Sequence, residues 1–315
     1  MSSAGVRTAI ADRDAGSSLN GRVAVVMITR NRRDETLHAV GKHLSLPGRP
    51  RLIVVDNASE DGTADAVRRA HESVKVVRLE RNVGGNARNL GVSLAGTPYV
   101  AFSDDDSWWE PNSLQRAADL LDRHPTVAVL TARTLVGEAA RDDPLNAELA
   151  ASPLSAPASL PGPRVMGFLA CAAVVRTSAF LAAGGFHERF VVGGEEELLA
   201  CDLVAAGWDI VYVPELVVHH HPSTARSSDG RRRRGIRNTL WFLWLRRPFR
   251  SALGRTLHLA RTLPRDRVTA LAIADAVRGA PWVIGNRRVV PGEVERELRL
   301  LDAPQMSSCA RRYVS

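Results

Sequence analysis

The sequence of 315 residues predicts an α/β protein built on a mostly parallel sheet flanked by helices. Short apolar runs rich in β-branched residues alternate with segments of helical spacing over the first 123 residues. Such alternation with short connections places parallel strands between two layers of helices. Hydrophobic residues make up 45% and charged residues 24% of the chain, a composition typical of folded globular proteins that excludes a wholly disordered chain.

Four strand–helix pairs are predicted in order. Each strand is a continuous apolar run, which is the pattern of a strand buried on both faces. The predicted strands are residues 23–28, 52–55, 74–79 and 99–102, and the predicted helices are residues 34–44, 63–71, 86–95 and 114–123. Ligands of such sheets bind beyond the carboxyl ends of the strands, so the polar residues that follow each strand are candidates for one shared site.

The second half of the chain is less regular. Residues 136–163 are rich in Ala, Pro, Ser and Asp and predict a loop, and residues 165–175 form an apolar element. A helix is predicted over residues 195–206, because three glutamates stand in its first turn, where the helix dipole favours acids. Two short strands, residues 210–213 and 216–218, then lead into three consecutive histidines.

The charge is concentrated at the C-terminal end. The formal net charge is +8, and from residue 226 onward 20 arginines stand against 7 acids, so this segment carries +13 and the preceding part −5. A basic region suits phosphates, an anionic membrane face or nucleic acid. Nucleic acid is not expected, because base-stacking aromatics do not alternate with the basic residues. A GC-rich genome is an equal explanation for the near-absence of lysine.

Three regions are therefore predicted: a disordered leader over residues 1–20, a main domain over 21–221, and a flexible basic loop with a helical extension over 222–315. The longest apolar run has 11 residues, whereas a spanning helix needs about 20, and no secretory signal is visible. We expect a cytoplasmic protein, with peripheral contact to the inner face of the cell membrane through the C-terminal region as a further option.

Asp104, Asp105 and Asp106 directly follow an apolar strand. Clustered carboxylates must be solvated, paired or metal-bound, and hard oxygen ligands suit Mg²⁺ or Mn²⁺. The alternative is an acidic turn that caps the next helix. A glutamate of the run 195–197 can act as a general base or simply place charge at a helix start. A histidine of the run 219–221 either completes a metal site or belongs to a surface cluster.

Taken in order, these pieces resemble the family 2 glycosyltransferases of the GT-A fold, over residues 23–221. The segments that carry the resemblance are VAVVMITRNR, LIVVDNASEDGT, ERNVGGNARNLGVSLAGTPYVAFSDDDSWWEPNSL, GGFHERFVVGGEEELLACDLVAAGW and VYVPELVVHHH. The finer likeness is to bacterial rhamnosyltransferase-like enzymes. The resemblance implies a mostly parallel, Rossmann-like sheet flanked by helices, and binding of a nucleotide-diphosphate sugar.

The resemblance also implies roles for individual side chains. Thr29 and Arg32 line the nucleotide pocket, Asp56 accepts a hydrogen bond from the base of the donor, and Asp104 lies near the ribose. Asn82 and Arg88 shape the nucleotide site.

The same resemblance assigns the catalytic positions. Asp106 and His220 bind Mg²⁺ or Mn²⁺, with His221 as the fallback within its run. Glu195 contacts substrate and Glu196 is the general base. The family more often has Asp at this last position, and Leu198-Leu199 and Asp202 stand where its pattern continues with Asp-Leu and a later Arg.

The function that follows is inverting transfer of a sugar to an acceptor hydroxyl. The acceptor is a saccharide, a lipid-linked molecule or a small molecule. Two alternatives remain: a non-catalytic basic binding module of the same fold, docked on membrane or nucleic acid, and a nucleotidyltransferase. The second lacks its expected glycine-rich signature near the first strand.

Overall fold

The computed structural model describes residues 19, 21–222 and 228–307. Of the leader predicted over residues 1–20, only Leu19 lies within these ranges. The strands are β1 (Val23–Thr29), β2 (Arg51–Asp56), β3 (Lys75–Arg78), β4 (Tyr99–Asp104), β5 (Ser107–Trp109), β6 (Val127–Val136), β7 (Arg141–Asp142), β8 (Ala173–Arg176) and β9 (Asp209–His220). The helices are α1 (Arg33–Leu44), α2 (Thr63–Ala70), α3 (Ala87–Ala95), α4 (Ser113–Arg123), α5 (Pro144–Ala150), α6 (Thr177–Ala182), α7 (Glu195–Ala205), α8 (Ser228–Arg246), α9 (Phe249–Thr262), α10 (Arg267–Arg278), α11 (Ala280–Gly285) and α12 (Gly292–Ser307).

The described strands form one sheet in the order β3-β2-β1-β4-β8-β6-β9-β5, with β7 paired to β6. The first four strands of this order are parallel, and the four predicted strand–helix pairs are confirmed to within two residues. Alternate residues of β1 enter the cores on opposite faces of the sheet: Val26 packs with Phe102 in one core, and Met27 with Val54 in the other. This burial on both faces is why the strand sequences are continuously apolar.

The other half of the sheet is mixed. Strand β8 is antiparallel to both β4 and β6, whereas β9 is parallel to β6 and antiparallel to β5. The two short strands predicted over residues 210–213 and 216–218 are one strand, β9. The register of its pairing with β6 shifts between Val213 and Val217. Pro214 lies in this irregular stretch, where its lack of an N–H interrupts no inter-strand hydrogen bond.

The loop predicted over residues 136–163 is wrong in part. It contains β7 and α5, and α5 begins where the side chain of Asp143 accepts a hydrogen bond from the N–H of Leu145, with Pro144 in the first turn. A capping aspartate followed by proline is a recognised helix start. The apolar element at residues 165–175 yields only β8 and a short 3₁₀ turn at residues 170–172.

The predicted C-terminal helices are present, but they begin earlier than expected. Residues 228–235 were predicted as part of a loop and are the first turns of α8; residues 223–227 lie outside the described ranges. Arg232 and Arg233 form ion pairs with Asp266 and Asp275, at 2.5 and 2.7 Å. These distant partners stabilise a helix whose own sequence lacks an apolar period.

The C-terminal helices pack onto the core of the sheet. Trp241, Phe242 and Leu245 of α8 are buried in the same core as Phe102. The side chain of Arg247 is 2% exposed and pairs with Glu295 of α12 at 3.0 Å, which fixes the last helix to the end of α8. Across the parts of the chain that are described, no helix has both the length and the apolar character needed to span a bilayer.

Candidate active site

A cavity of about 650 Å³ opens at the carboxyl ends of β1, β2 and β4. The opposite wall is formed by the start of α7 and by the first turns of α8. Its lining comprises Ile28, Thr29, Arg30, Asn31, Arg32, Asn57, Gly84, Gly85, Arg88, Asp104, Asp105, Val192, Gly193, Glu195, Glu196, Arg231 and Arg234. The predicted site residues Thr29, Arg32, Arg88, Asp104, Glu195 and Glu196 therefore share one cavity, at the sheet edge where ligands are expected.

Asn57 lines the cavity, and its side chain forms hydrogen bonds to the backbone of a neighbouring loop. The amide of Asn57 donates to the carbonyl of Gly84 at 2.9 Å, and its carbonyl oxygen accepts from the N–H of Val83 at 2.9 Å. Asn57 thereby joins the end of β2 to the loop before α3. Asn57 belongs to the polar residues that follow the second predicted strand, but no individual role was predicted for it.

Two arginines pair with the aspartates at the end of β4. Arg32 Nη1 lies 2.8 Å from Asp105 Oδ1 and 2.8 Å from Asp106 Oδ2. Arg88 pairs with Asp104, and its guanidinium carbon lies 6.0 and 5.9 Å from the ring centroids of Phe102 and Phe186.

Burial raises the pKa of Asp105 to about 6, against the opposing effect of Arg32. The two arginines allow three adjacent carboxylates to be accommodated in a largely buried position.

The predicted metal ligands Asp106 and His220 are adjacent, but neither lines the large cavity. His220 Nε2 lies 3.5 Å from Asp106 Oδ1 and is buried without a hydrogen-bond partner among the described residues. An aspartate oxygen and an orphaned imidazole nitrogen at this separation fit a shared Mn²⁺ or Mg²⁺. No cluster of three or more His, Cys, Asp or Glu that could hold a metal occurs within the described ranges. Substrate phosphates would have to complete such a site, as is common for these ions.

A second cavity of about 420 Å³ lies beside this pair. It is lined by Asp34, Glu35, His38, Asp105, Asp106, Trp108 and His221. The ring of His221 lies 4.6 Å from that of Trp108. His221, the fallback metal ligand, therefore faces the second cavity, whereas His220 faces Asp106.

The opposite wall carries two glutamates at the start of α7. Glu195 is 5% exposed and its Oε2 has no hydrogen-bond partner among the described residues. Burial raises its pKa well above the ordinary value, and the charge of Glu196 raises it further. Burial also raises the pKa of Glu196, while Arg88 opposes that shift. Perturbed carboxyls in a cavity are typical of groups that transfer protons.

Asp56 and Asn82 lie outside the cavity lining. Asp56 is fully buried; its Oδ1 accepts from the N–H of Ser59 at 3.2 Å, and its Oδ2 lies 3.6 Å from Arg78 Nε. Asn82 is exposed, and its side-chain oxygen accepts from the N–H of Gly84 at 2.8 Å. In this structure Asn82 therefore holds the turn that leads to the lining residues Gly84 and Gly85.

The family model for Glycosyl transferase family 2 matches residues 24–182. The chain belongs to glycosyl transferase family 2. It is similar to the Mycobacterium tuberculosis N-acetylglucosaminyl-diphospho-decaprenol L-rhamnosyltransferase, with 29% identity over 248 residues that cover 66% of this chain and 81% of that protein. The predicted family, an activity as a glycosyltransferase and the predicted likeness to a rhamnosyltransferase are thereby confirmed.

Solved structures support the fold. The mannosyltransferase of Pyrobaculum calidifontis in complex with GDP-Man and Mn²⁺ superposes with a TM-score of 0.57 at 19% identity, covering 92% of this chain and 76% of that one. Staphylococcus aureus TarS in complex with UDP-GlcNAc gives a TM-score of 0.56 at 16% identity, with coverages of 88% and 91%. The predicted GT-A fold of this glycosyltransferase is confirmed.

Proposed function

We propose that this glycosyltransferase transfers a sugar from a nucleotide-diphosphate sugar to an acceptor hydroxyl with inversion at the anomeric carbon. The observation that carries the proposal is the single cavity in which Asp104 and its neighbours at the end of β4 face Glu195 and Glu196 of α7. One wall is suited to a nucleotide diphosphate and the other to proton transfer. The similarity to an enzyme named for a diphospho-decaprenol acceptor favours a lipid-linked saccharide as acceptor.

The nucleotide diphosphate lies against the ends of β1 and β4, beside Thr29, Arg32 and Asp104. Arg231 and Arg234 reach the same cavity from α8 and are placed to pair with the phosphates, since guanidinium groups bind phosphate oxygens in pairs. Asp106 and His220 are the residues that would hold a divalent cation. When bound, Mn²⁺ or Mg²⁺ supplies positive charge that stabilises the leaving diphosphate.

Glu196 is the proposed general base. It is half-buried and lines the cavity, so an acceptor hydroxyl can reach it, whereas Glu195 is almost completely buried. Arg88 lowers the pKa of Glu196 against the effect of burial, which favours the carboxylate that a base requires. Glu196 takes the hydroxyl proton as the oxygen attacks the anomeric carbon from the face opposite the diphosphate, and the bond to the diphosphate breaks.

A thermal-shift panel tests nucleotide and metal binding together. UDP, GDP, dTDP and CDP are each added with and without Mn²⁺ to the wild type, to Asp106→Asn, and to Asp65→Asn as a matched control on the exposed face of α2. A ligand at about 100 times its Kd adds roughly 2.7 kcal/mol to the stability of the native state. We expect one nucleotide to raise Tm only with Mn²⁺, in the wild type and Asp65→Asn but not in Asp106→Asn.

Equal shifts in all three proteins would remove Asp106 from the metal site. No shift with any nucleotide, together with salt-sensitive binding to lipid or nucleic acid, would favour the non-catalytic binding module. The anomeric configuration of the product, read by NMR once a donor is known, tests inversion directly.

A further inference from the structure

Exposed apolar side chains are concentrated in the C-terminal part of the described chain. Among the described residues, nine of the ten large apolar side chains that are exposed lie beyond residue 248, and the tenth is Leu181 of α6. Scattered exposed leucines need no explanation, but a concentration of them marks an interaction surface. The nine are Phe249, Leu253, Leu257, Leu271, Ile273, Val277, Ile284, Val289 and Leu300.

Three of these side chains form one stripe along α9. Phe249, Leu253 and Leu257 are 62%, 39% and 46% exposed and are spaced four residues apart. At 3.6 residues per turn they lie within about 80° of one another around the helix axis. A neighbouring side of α9 is anchored, because Ala252 and Leu259 are buried in the core and lie about 100–120° from the middle of the stripe around the axis. We call Phe249, Leu253 and Leu257 the α9 stripe.

The charge on α9 itself has a single sign. Arg250 and Arg261 are exposed and lie within about 40° of Leu257 around the axis. Neither forms an ion pair with any residue in the described ranges, and the sequence of α9, FRSALGRTLHLART, contains no acid. An apolar stripe bordered by unpaired arginines on an anchored helix is the pattern of a helix that lies in a membrane interface.

We propose that the α9 stripe docks on the surface of a bilayer that contains anionic lipid, with Arg250 and Arg261 at the level of the headgroups. This inference goes beyond the proposed function and does not depend on it. A second copy of the chain fits less well, since a two-fold contact through the same stripe would bring the arginines of both copies together with no acid on either α9. A bilayer supplies both the apolar phase and the negative charge.

Flotation with lipid vesicles tests the proposal on the full chain. We expect the wild type to float with vesicles of phosphatidylcholine and phosphatidylglycerol and much less with phosphatidylcholine alone. Leu253→Ser/Leu257→Ser should lower the partition coefficient by more than about tenfold per side chain. Arg250→Gln/Arg261→Gln should lower it by about fivefold per arginine and reduce its dependence on salt. Leu181→Ser, which removes a somewhat more exposed leucine from α6, is the matched control and should bind like the wild type.

Circular dichroism and sedimentation equilibrium accompany each variant. Unchanged Tm values show that lost flotation reflects the surface and not the fold. A wild type that does not float, or α9 variants that float as well as Leu181→Ser, would overturn the proposal. A concentration-dependent dimer that Leu253→Ser/Leu257→Ser dissociates, without vesicle binding by the wild type, would assign the stripe to a second copy instead.

Discussion

The end of β4 and the start of α7 each carry a cluster of carboxyl groups. At the end of β4, Arg32 and Arg88 form ion pairs with three aspartates. At the start of α7, burial raises the pKa of two glutamates, and Glu195 Oε2 has no hydrogen-bond partner among the described residues. Asp104 and Asp105 of the first cluster line the same cavity as the two glutamates. The difference between them lies in direct ion pairs with arginine, which the aspartates form and which neither glutamate forms among the described residues. Burial raises the pKa of Asp105 as well, but its ion pair with Arg32 opposes that shift and suits the aspartates to binding. Carboxyls in a cavity whose pKa burial raises are suited to exchange a proton.

The largest expected effect separates the two glutamates. Glu196→Gln removes the proposed base but keeps the shape of the side chain, so turnover should fall by about 10²–10⁴-fold with little change in nucleotide affinity. Glu195→Gln is the matched comparison and should retain more turnover. Steady-state kinetics together with nucleotide titration measure both quantities. A greater loss in Glu195→Gln than in Glu196→Gln would move the base to Glu195.

The next effect tests the pairing at the end of β4. Arg88→Met leaves Asp104 without its partner, and breaking a buried ion pair from one side costs about 3–5 kcal/mol. At about 2–4 °C per kcal/mol for a large domain, Tm should fall clearly. Arg88→Met/Asp104→Asn should recover part of the loss.

Arg133→Met breaks an exposed pair with Asp142 and serves as the control in the same scan. Exposed pairs contribute little to stability, so its Tm should stay close to that of the wild type. Equal Tm values for Arg88→Met and Arg133→Met would show that burial does not distinguish these two pairs.

The smallest effect depends on pH. The pKa of Glu195 is raised in the folded protein, so between its unfolded and folded values the native state binds more protons, and stability falls as pH rises. Glu195→Gln removes the ionisable group, and with it this loss of stability at higher pH. Its Tm should exceed that of the wild type near pH 8, and the difference should vanish near pH 4, where the unfolded carboxyl is also protonated. Glu188→Gln, at an exposed site, should show no such trend, and a constant Tm difference at all pH values would contradict the assignment.

The parallel half of the fold was predictable because each of its strands is apolar on both faces and each helix follows directly. Strand β6 was missed because Thr131, Arg133 and Thr134 interrupt its apolar run. The start of α8 was missed because its arginines are stabilised by Asp266 and Asp275, more than 30 residues away. The sequence pattern around α8 does not reveal ion-pair partners that lie so far away in the chain.

The candidate site was predictable in its location and not in its electrostatics. The carboxylates and the resemblance placed Asp104 and Glu196 at one sheet edge. The pairing of Arg32 with Asp105 and Asp106 joins residues 73 and 74 positions apart, and no spacing in the sequence encodes it. The roles of Asp106, His220 and Glu196, and the boundary between the main domain and the extension at residue 221, stay predictions.

The contact between Gly84 and Val191 bears on how readily this enzyme can acquire a new donor. The N–H of Gly85 donates to the carbonyl of Val191 at 2.8 Å, and Gly84, at φ +64°, approaches so closely that a Cβ would lie 2.1 Å from that same oxygen. The two walls of the cavity are therefore joined through main-chain atoms. Side chains that line the cavity can be exchanged during evolution or engineering while its width is retained, whereas Gly84 itself cannot be replaced without separating the walls.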